Sequence, residues 1–273
     1  MTILVTGARG AVATELISLL RRRDLLVRPA SSSPGEPATV RCDLTDPSTF
    51  PAALEGVDSV FLYAEPSHID AFVNEAVTAG VEHIVLLSSS AVLAPEAEAN
   101  PLAKTHADVE HALAYAPVRS TLLRPGAFAG NALAWSWPVK SGAPVSLPYP
   151  GSYSDPIHEA DLAETAAAVL ADPALGGRAY TLTGPESLTC AEQIDILGRA
   201  TGRHIAFRTV TREEWKAETA GYLSGPIADA LLDWQRSNDG VPTEITADVE
   251  RLIGRPRRTF ATWAQEHAAA FTP

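Results

Sequence analysis

The sequence predicts a doubly wound α/β fold, in which a parallel sheet is wrapped by helices on both faces and followed by a small, mostly helical C-terminal lobe. Three observations predict it. Short apolar runs alternate with segments of helical periodicity as far as Arg124. The alternation stops near Phe128, where Pro138, Pro144, Pro148, Pro150 and Pro156 cluster and imply irregular chain over the strand ends. Beyond Gly184-Pro185 the pattern turns helical. A chain of 273 residues accommodates one domain with an appended lobe.

In order, Ile3-Leu-Val5 reads as a strand and Ala11 to Arg23 as a helix, with Val12, Leu16, Leu19 and Leu20 on one face. Strands are then expected at Leu25–Val27, Thr39–Cys42, Ser59–Tyr63, His83–Leu87, Ser120–Leu123 and Ala179–Leu182. Helices are expected at Ser48–Leu54, Ile69–Ala79, Lys104–Tyr115 and Ala160–Leu170. The C-terminal helices fall at Cys190–Ala200, Arg212–Gly221, Ile227–Ser237, Ile245–Ile253 and Phe260–Phe271. The predicted organisation is a nucleotide-binding core over residues 1–127, rejoined by 157–184, with residues 128–156 and 185–273 forming the substrate loops and lobe.

A net charge of −12 repels phosphate backbones and anionic lipid, so nucleic acid is not an expected partner. No apolar run approaches the length of a membrane span, and the opening Met1-Thr-Ile-Leu-Val-Thr-Gly7 lacks the pattern of a secretion signal. The expectation is a cytoplasmic protein acting on a small molecule. Cys42 and Cys190 make neither a disulfide framework nor a metal site, and no His, Asp or Glu cluster has metal-ligand spacing.

Between the first strand and first helix lies Thr6-Gly-Ala-Arg-Gly-Ala-Val-Ala13. Gly7 permits the tight turn, Gly10 lets the backbone approach a pyrophosphate, and the amides at Ala11 and Val12 open the helix that receives it. In strand-loop-helix context the pattern predicts a dinucleotide site, a glycine turn with no ligand being the alternative, and the fold it implies is Rossmann-like. NAD selection places an acid at the end of the second strand. Here that stretch reads Arg28-Pro-Ala-Ser31-Ser32-Ser33, with Arg9 inside the glycine loop, so NADP(H) is the expected cofactor. Asp43-Leu44 either reaches the adenine edge or opens a turn before Pro47.

Thr6-Gly-x-x-Gly-x-x-Ala13, Asp43-Leu44-Thr45, Val85-Leu-Leu-Ser-Ser89, His106-x-x-x-Glu110, Leu123-Arg-Pro-Gly126, Tyr180-x-Leu-x-Gly184 and Gly254-Arg-Pro-x-Arg-Thr-Phe260 together resemble the NmrA-like atypical short-chain dehydrogenase/reductases. The resemblance spans nearly the whole chain and implies a Rossmann-like fold with an NADP(H) site. Members of that family include quinone reductases, ketone and imine reductases of secondary metabolism, and NADP-binding regulators without turnover. The wider superfamily uses Tyr-x-x-x-Lys as its proton-delivering pair. Aligned on Val109-Glu110, this sequence places Leu102 at the tyrosine and His106 at the lysine, so no tyrosine acid is present. Similar quinone reductases also carry a histidine there.

His106 is thus the candidate donor to a ribose hydroxyl or to the substrate oxygen, or else a helix histidine paired with Glu110. Ser88 and Ser89 end a strand at the edge where ligands bind in such sheets, although strand-end serines also cap turns. Tyr63-Ala64 walls the nicotinamide or packs half-buried. Lys104 binds ribose or substrate or stands exposed. Pro125-Gly126, followed by Phe128, lies beside the nicotinamide carboxamide. Trp135, Trp137, Tyr149 and Tyr153 suit a flat apolar substrate or serve lobe packing, and His158 and Asp161 read as structural. The expected activity is NADPH-dependent reduction of a carbonyl, quinone or imine of an apolar cyclic molecule. A non-catalytic NADP(H) sensor is the alternative.

Overall fold

A computed structural model describes residues 1–35, 38–95 and 97–272. Its first compact unit comprises Met1–Pro125, Glu159–Leu182 and Asp248–Arg255. The strands of this unit are β1 (Thr2–Val5), β2 (Leu26–Ser31), β3 (Val40–Arg41), β4 (Ser59–Tyr63), β5 (His83–Leu87), β6 (Arg119–Pro125) and β9 (Ala179–Leu182), and its helices are α1 (Ala11–Arg22), α2 (Phe50–Leu54), α3 (Ile69–Thr78), α4 (Pro101–Ala114), α6 (Glu159–Ala171) and α10 (Asp248–Ile253). The seven strands form one sheet in the order β3-β2-β1-β4-β5-β6-β9, and every neighbouring pair is parallel.

The strand order reverses between β1 and β4. In open α/β sheets that reversal leaves a crevice at the carboxyl ends of the two strands, and ligands bind there. β4 and β5 are buried on both faces, as their unbroken apolar runs require. Leu4, Val60, Leu62, Ile84 and Leu86 share one core with Phe50, Phe72 and Val109 of α2, α3 and α4. Ile3, Val5, Phe61 and Val85 alternate to the other face. There α1 and α6 pack on each other through small and apolar residues such as Leu16, Leu20, Ala163 and Ala166.

Three features differ from the sequence reading. α4 starts three residues before the expected Lys104, because Asn100 caps it by accepting from the Leu102 amide and Pro101 fits the first turn. The segment 248–255 belongs to this first unit and not to the lobe. Asp248 accepts a bond from the β9 amide of Thr181 at 3.1 Å. Arg255 bonds Asp161 and Glu164 of α6, both at 2.7 Å.

The third difference lies in the second unit, Gly126–His158, Thr183–Ala247 and Pro256–Pro273. Its proline-rich stretch is ordered into a 3-10 turn (Ala129–Trp135), α5 (Ser136–Ser141), β7 (Val145–Leu147) and β8 (Tyr153–Ser154). Pro138 sits in the first turn of α5, where no backbone donor is needed. β7 pairs in parallel with β11 (Phe207–Thr209), and β8 pairs antiparallel with β10 (Leu188–Thr189). α7 (Cys190–Thr201), α8 (Arg212–Thr219), α9 (Gly225–Ser237) and α11 (Phe260–Glu266) complete the unit. Its core gathers Leu147, Leu197, Phe260 and Phe271 around the fully buried Trp263, which stacks on His267 at 4.3 Å. No helix among the described residues is long and apolar enough to cross a membrane.

Candidate functional site

β1 ends at Val5 and α1 begins at Ala11, so the chain turns through Thr6–Gly10 at the carboxyl edge of the sheet. Gly7 adopts φ 61°, the left-handed region that glycine enters freely, and its carbonyl receives the Gly10 amide at 2.8 Å. Gly10 caps α1 in an extended conformation with no side chain to fill the cap, and no acid lies in the first turn. The leading amides of α1, at Ala11 and Val12, therefore have no side-chain cap, and the helix dipole adds to them a preference for an anion. This fits a dinucleotide pyrophosphate.

Thr6 is buried and stitches β1 to β4: its hydroxyl donates to the Phe61 carbonyl at 3.1 Å and accepts the Tyr63 amide at 3.0 Å. Its side chain is thus occupied in the fold. Tyr63 lies across the glycine loop, its ring edge 2.8 Å from where a Cβ on Gly7 would stand. The Ala13 amide faces its hydroxyl, while burial pushes the phenol pKa up. The sequence left Tyr63 either walling the nicotinamide or packing half-buried; the ring is half-buried and lies against the glycine loop. Ala64 packs against the core with Leu44.

Beside the loop the first unit holds a cavity of about 820 Å³ whose lining includes Arg9, Arg21, Arg22, Ser31, Gly35 and Thr39. Among the described residues the lining presents three guanidinium side chains and no acid, which suits it to a 2′-phosphate. Ser31 accepts the Ser33 amide at 3.2 Å, and Ser32 is exposed. Arg28 is a correction. Three positions before the end of β2, its guanidinium donates to the carbonyls of Ala53 at 2.8 Å and Glu55 at 2.7 Å, and it does not line the cavity. Sequence reasoning missed Arg21, whose signal was available: Thr14, Ile17, Ser18 and Arg21 follow helical spacing on one face of α1. Asp43 takes the turn role, accepting from the Thr45 amide at 3.0 Å and hydroxyl at 2.7 Å, bonds that hold its carboxyl below the usual range.

At the carboxyl end of β5, the buried Ser88 donates to Glu110 Oε1 at 2.5 Å. Glu110 on α4 also takes a forked pair of bonds from Arg124 of β6, at 2.9 and 2.5 Å. This three-element clasp was not anticipated. His106 lies one turn before Glu110 on the same face of α4. Its ring is half-buried, Nδ1 has no partner among the described residues, and burial pushes its pKa down against the raising influence of Glu110. Ser89 accepts the Ala91 amide at 3.2 Å, capping a 3-10 turn, and keeps its hydroxyl proton to donate. Lys104 is a second correction: it is exposed, two residues away from His106 and hence on the far side of the helix, and bonds both oxygens of Asp108 at 2.7 and 2.8 Å.

Pro125 closes β6 as a buried residue. In the second unit Gly126 faces the Asp155 carboxylate so closely that no side chain fits, and Ala127 donates its amide to Asp155 Oδ1 at 3.2 Å. Burial raises the Asp155 pKa to about 6. Phe128 bridges Ile157, so the Gly126–Phe128 backbone is pinned to the 155–157 turn. His158 Nε2 meets Glu266 at 3.0 Å, a structural contact.

The family profile described as NAD(P)H-binding matches residues 7–173 of this chain. A (4-alkanoyl-5-oxo-2,5-dihydrofuran-3-yl)methyl phosphate reductase of Streptomyces griseus is 33% identical, covering 99% of each chain. An NAD(P)H azoreductase of Xenophilus azovorans is 30% identical over 98% of this chain and 99% of its own. The fold superposes on an NADPH-dependent quinone oxidoreductase of Escherichia coli, solved with NADPH, at a TM-score of 0.80 and 23% identity, covering 97% of this chain and 99% of that one.

Proposed function

Since the chain belongs to the NAD(P)H-binding family of the NmrA-like superfamily and is an NAD(P)H-dependent oxidoreductase, we propose that it uses NADPH to reduce a carbonyl, quinone or imine of an apolar cyclic small molecule, without a tyrosine general acid. The observation that carries this reading is His106, a half-buried imidazole whose Nδ1 has no partner among the described residues; aligning the sequence on Val109-Glu110 supports it by setting His106 at the superfamily's lysine and Leu102 at its tyrosine.

When bound, the dinucleotide supplies a hydride to the electrophilic carbon of the substrate. The uncapped amides of α1 hold the pyrophosphate, and Arg9 with Ser31 and Ser32 hold the 2′-phosphate. Pro125, at the carboxyl end of β6, borders the nicotinamide. Against the raising influence of Glu110, burial pushes the His106 pKa down, which favours the neutral imidazole. The ring therefore contributes an N–H and not a cation, and together with the Ser89 hydroxyl it stabilises the oxygen or nitrogen that gains negative charge. The proton comes from water or from a substrate hydroxyl. This division of labour is energetically reasonable, since orientation supplies up to about 7–11 kcal/mol whereas a general acid contributes roughly 10²–10⁴-fold.

The test is NADPH oxidation against quinones, polycyclic ketones and cyclic imines, with His106→Phe alongside. Turnover is expected for at least one class, and kcat of the variant, which loses the N–H donor to the developing charge, should fall by about a hundredfold with NADPH affinity intact. Weaker NADPH binding with turnover restored at saturation would instead make His106 a ribose brace. An enzyme that binds NADPH and oxidises it with none of these compounds would sink the reading.

A further inference from the structure

Ser88 and Arg124 are neighbours across two strands: Leu87 pairs with Leu123 in the β5–β6 register, and the Ser88 amide donates to the Leu123 carbonyl at 2.7 Å. Each stands two positions beyond a leucine, Leu86 or Leu122, that packs in one core with Val109 and Leu113 of α4. Both side chains therefore turn to the face that α4 covers. Glu110 meets them there. Its Oε1 accepts from the Ser88 hydroxyl at 2.5 Å and from Arg124 Nε at 2.9 Å, and its Oε2 accepts from Arg124 Nη2 at 2.5 Å. Val109 and Leu113, 0% and 1% exposed, already seat α4 on the sheet, and a buried ion pair often adds no net stability over apolar packing. The forked bonds add direction: they fix where the helix stands along its own axis, which apolar contact does not.

α4 joins two parallel strands and so runs antiparallel to them, which carries its earlier turns beyond the strand ends. His106 lies four residues before Glu110 on the same helix face, about 6 Å further along the axis, at the edge where open α/β sheets hold their ligands. Its Nδ1 has no partner among the described residues, so no bond through that atom places the ring. The helix does. We propose that Glu110 is the positioning residue of His106: held by Ser88 and Arg124, its carboxylate locks α4 against β5 and β6 and so sets where the imidazole stands. The proposal deepens the reductase reading and rests on it for the role of His106. Both oxygens of Glu110 are engaged by Ser88 and Arg124, so it acts on the ring through the helix and through its charge. Among the described residues it is Glu110 whose charge bears on the ring, raising its pKa against burial. The other ionisable groups of the surrounding elements are engaged elsewhere or lie apart: Lys104 pairs with Asp108 on the far side of α4, His111 packs on Tyr115, and Glu98 of the preceding turn acts on Lys104. Asp70 and Glu75 belong to α3, while His83 and Arg119 sit at the amino ends of β5 and β6.

The test pairs kinetics, on whichever compound of the quinone, ketone and imine panel turns over, with an NMR titration of the histidine rings in which His106→Phe identifies the His106 signal. Glu110→Gln keeps the shape of the side chain and one acceptor for Arg124, and circular dichroism checks that it folds. Its kcat should fall about tenfold or more, because a displacement on the order of 1 Å can cost about a hundredfold, with NADPH affinity intact. In the His106→Phe background the same replacement should change kcat by less than about twofold, since the two residues act as one unit. The His106 pKa should fall in Glu110→Gln, where the Arg124 cation remains without its carboxylate, and rise in Arg124→Leu, where the carboxylate remains without its cation. A helix that is only loosened would shift both in one direction, towards an exposed imidazole. Asp108→Asn, which neutralises a carboxylate on the far side of α4, should move neither kcat nor the titration. If Glu110→Gln does not fold, Ser88→Ala removes a single bond of the clasp, with a smaller loss of kcat that should again vanish in His106→Phe. Shifts of the same sign, or a kcat loss that persists in full in His106→Phe, would overturn the inference. The titration needs no substrate, so it decides the inference even if the panel yields none. Full kcat in His106→Phe beside opposite shifts in the two clasp variants would count against the catalytic reading of His106 alone.

Discussion

The edge of the Tyr63 ring lies 2.8 Å from the point where a Cβ on Gly7 would stand. Gly7 also holds φ 61°, so a side chain there meets two obstacles: a left-handed backbone costing roughly 1–2 kcal/mol and a ring wedged against Phe61 at 5.9 Å. Gly7→Ala should lower unfolding free energy by about 2–4 kcal/mol. Adding Tyr63→Ala should remove the steric share and leave the backbone share. Denaturant unfolding of the four proteins in this cycle measures it, and strict additivity would mean that the ring does not press on the loop.

Arg9 should set cofactor preference. Arg9→Ala is expected to weaken NADPH binding about tenfold or more while barely changing NADH, because a charge-assisted bond to phosphate is worth roughly 1.5–3 kcal/mol. Arg28→Ala should leave the NADPH-to-NADH ratio unmoved, since its guanidinium serves the Ala53 and Glu55 carbonyls. Fluorescence titration with both nucleotides checks the pair, and equal losses for the two would disprove the assignment of Arg9.

The Glu110 carboxylate binds Ser88 and Arg124 together, and the two charged side chains are only 10% and 20% exposed. Glu110→Ala leaves the Arg124 guanidinium partly buried without its partner. A fully buried pair broken in this way loses roughly 3–5 kcal/mol, and the residual exposure here brings the expectation to about 2–3 kcal/mol. A melting temperature lowered by less than about 2 °C would contradict it.

His83 is buried at the amino end of β5, where its Nε2 meets the Thr121 hydroxyl at 2.8 Å. Burial, helped by Arg119, pushes its pKa from 6.5 to about 4. The unfolded chain then binds more protons across that interval. The contribution of His83 to stability is full above about pH 6.5 and is lost as pH falls towards 4, with a slope of at most about 1.4 kcal/mol per pH unit. His83→Phe should flatten this part of the stability profile.

Asp155 should act with the opposite sign. Its pKa is raised from 3.8 to about 6 by burial, against the lowering influence of the Ala127 amide. The folded state therefore holds the extra proton, so its contribution is full below about pH 3.8 and lost as pH rises through 6. Asp155→Asn can still accept from Ala127 and should unfold with less pH dependence between pH 4 and 6. An unchanged slope would mean that this carboxyl is not the group that titrates.

Much of this protein was determined by sequence alone. The Gly7–Gly10 loop between an apolar run and an amphipathic helix, the unbroken runs of β4 and β5, and the absence of an acid at the end of β2 each express a local rule of chain geometry or chemistry. The fold class and the glycine loop were legible for that reason, because a motif keeps its spacing whatever the chain does elsewhere. What depends on distant segments meeting was decided by the tertiary structure. Arg28 and Lys104 looked like ligand residues from their positions, yet one turns to carbonyls 25 and 27 residues away and the other sits on the outer face of α4. Between the two roles left open for Tyr63, the ring's packing on the glycine loop follows from β1 and β4 being neighbours in space. The Ser88–Glu110–Arg124 clasp and the Gly126–Asp155 contact leave no local signature. Each is a meeting of side chains from separate elements, and a linear pattern records which residues are present but not which surfaces folding presses together.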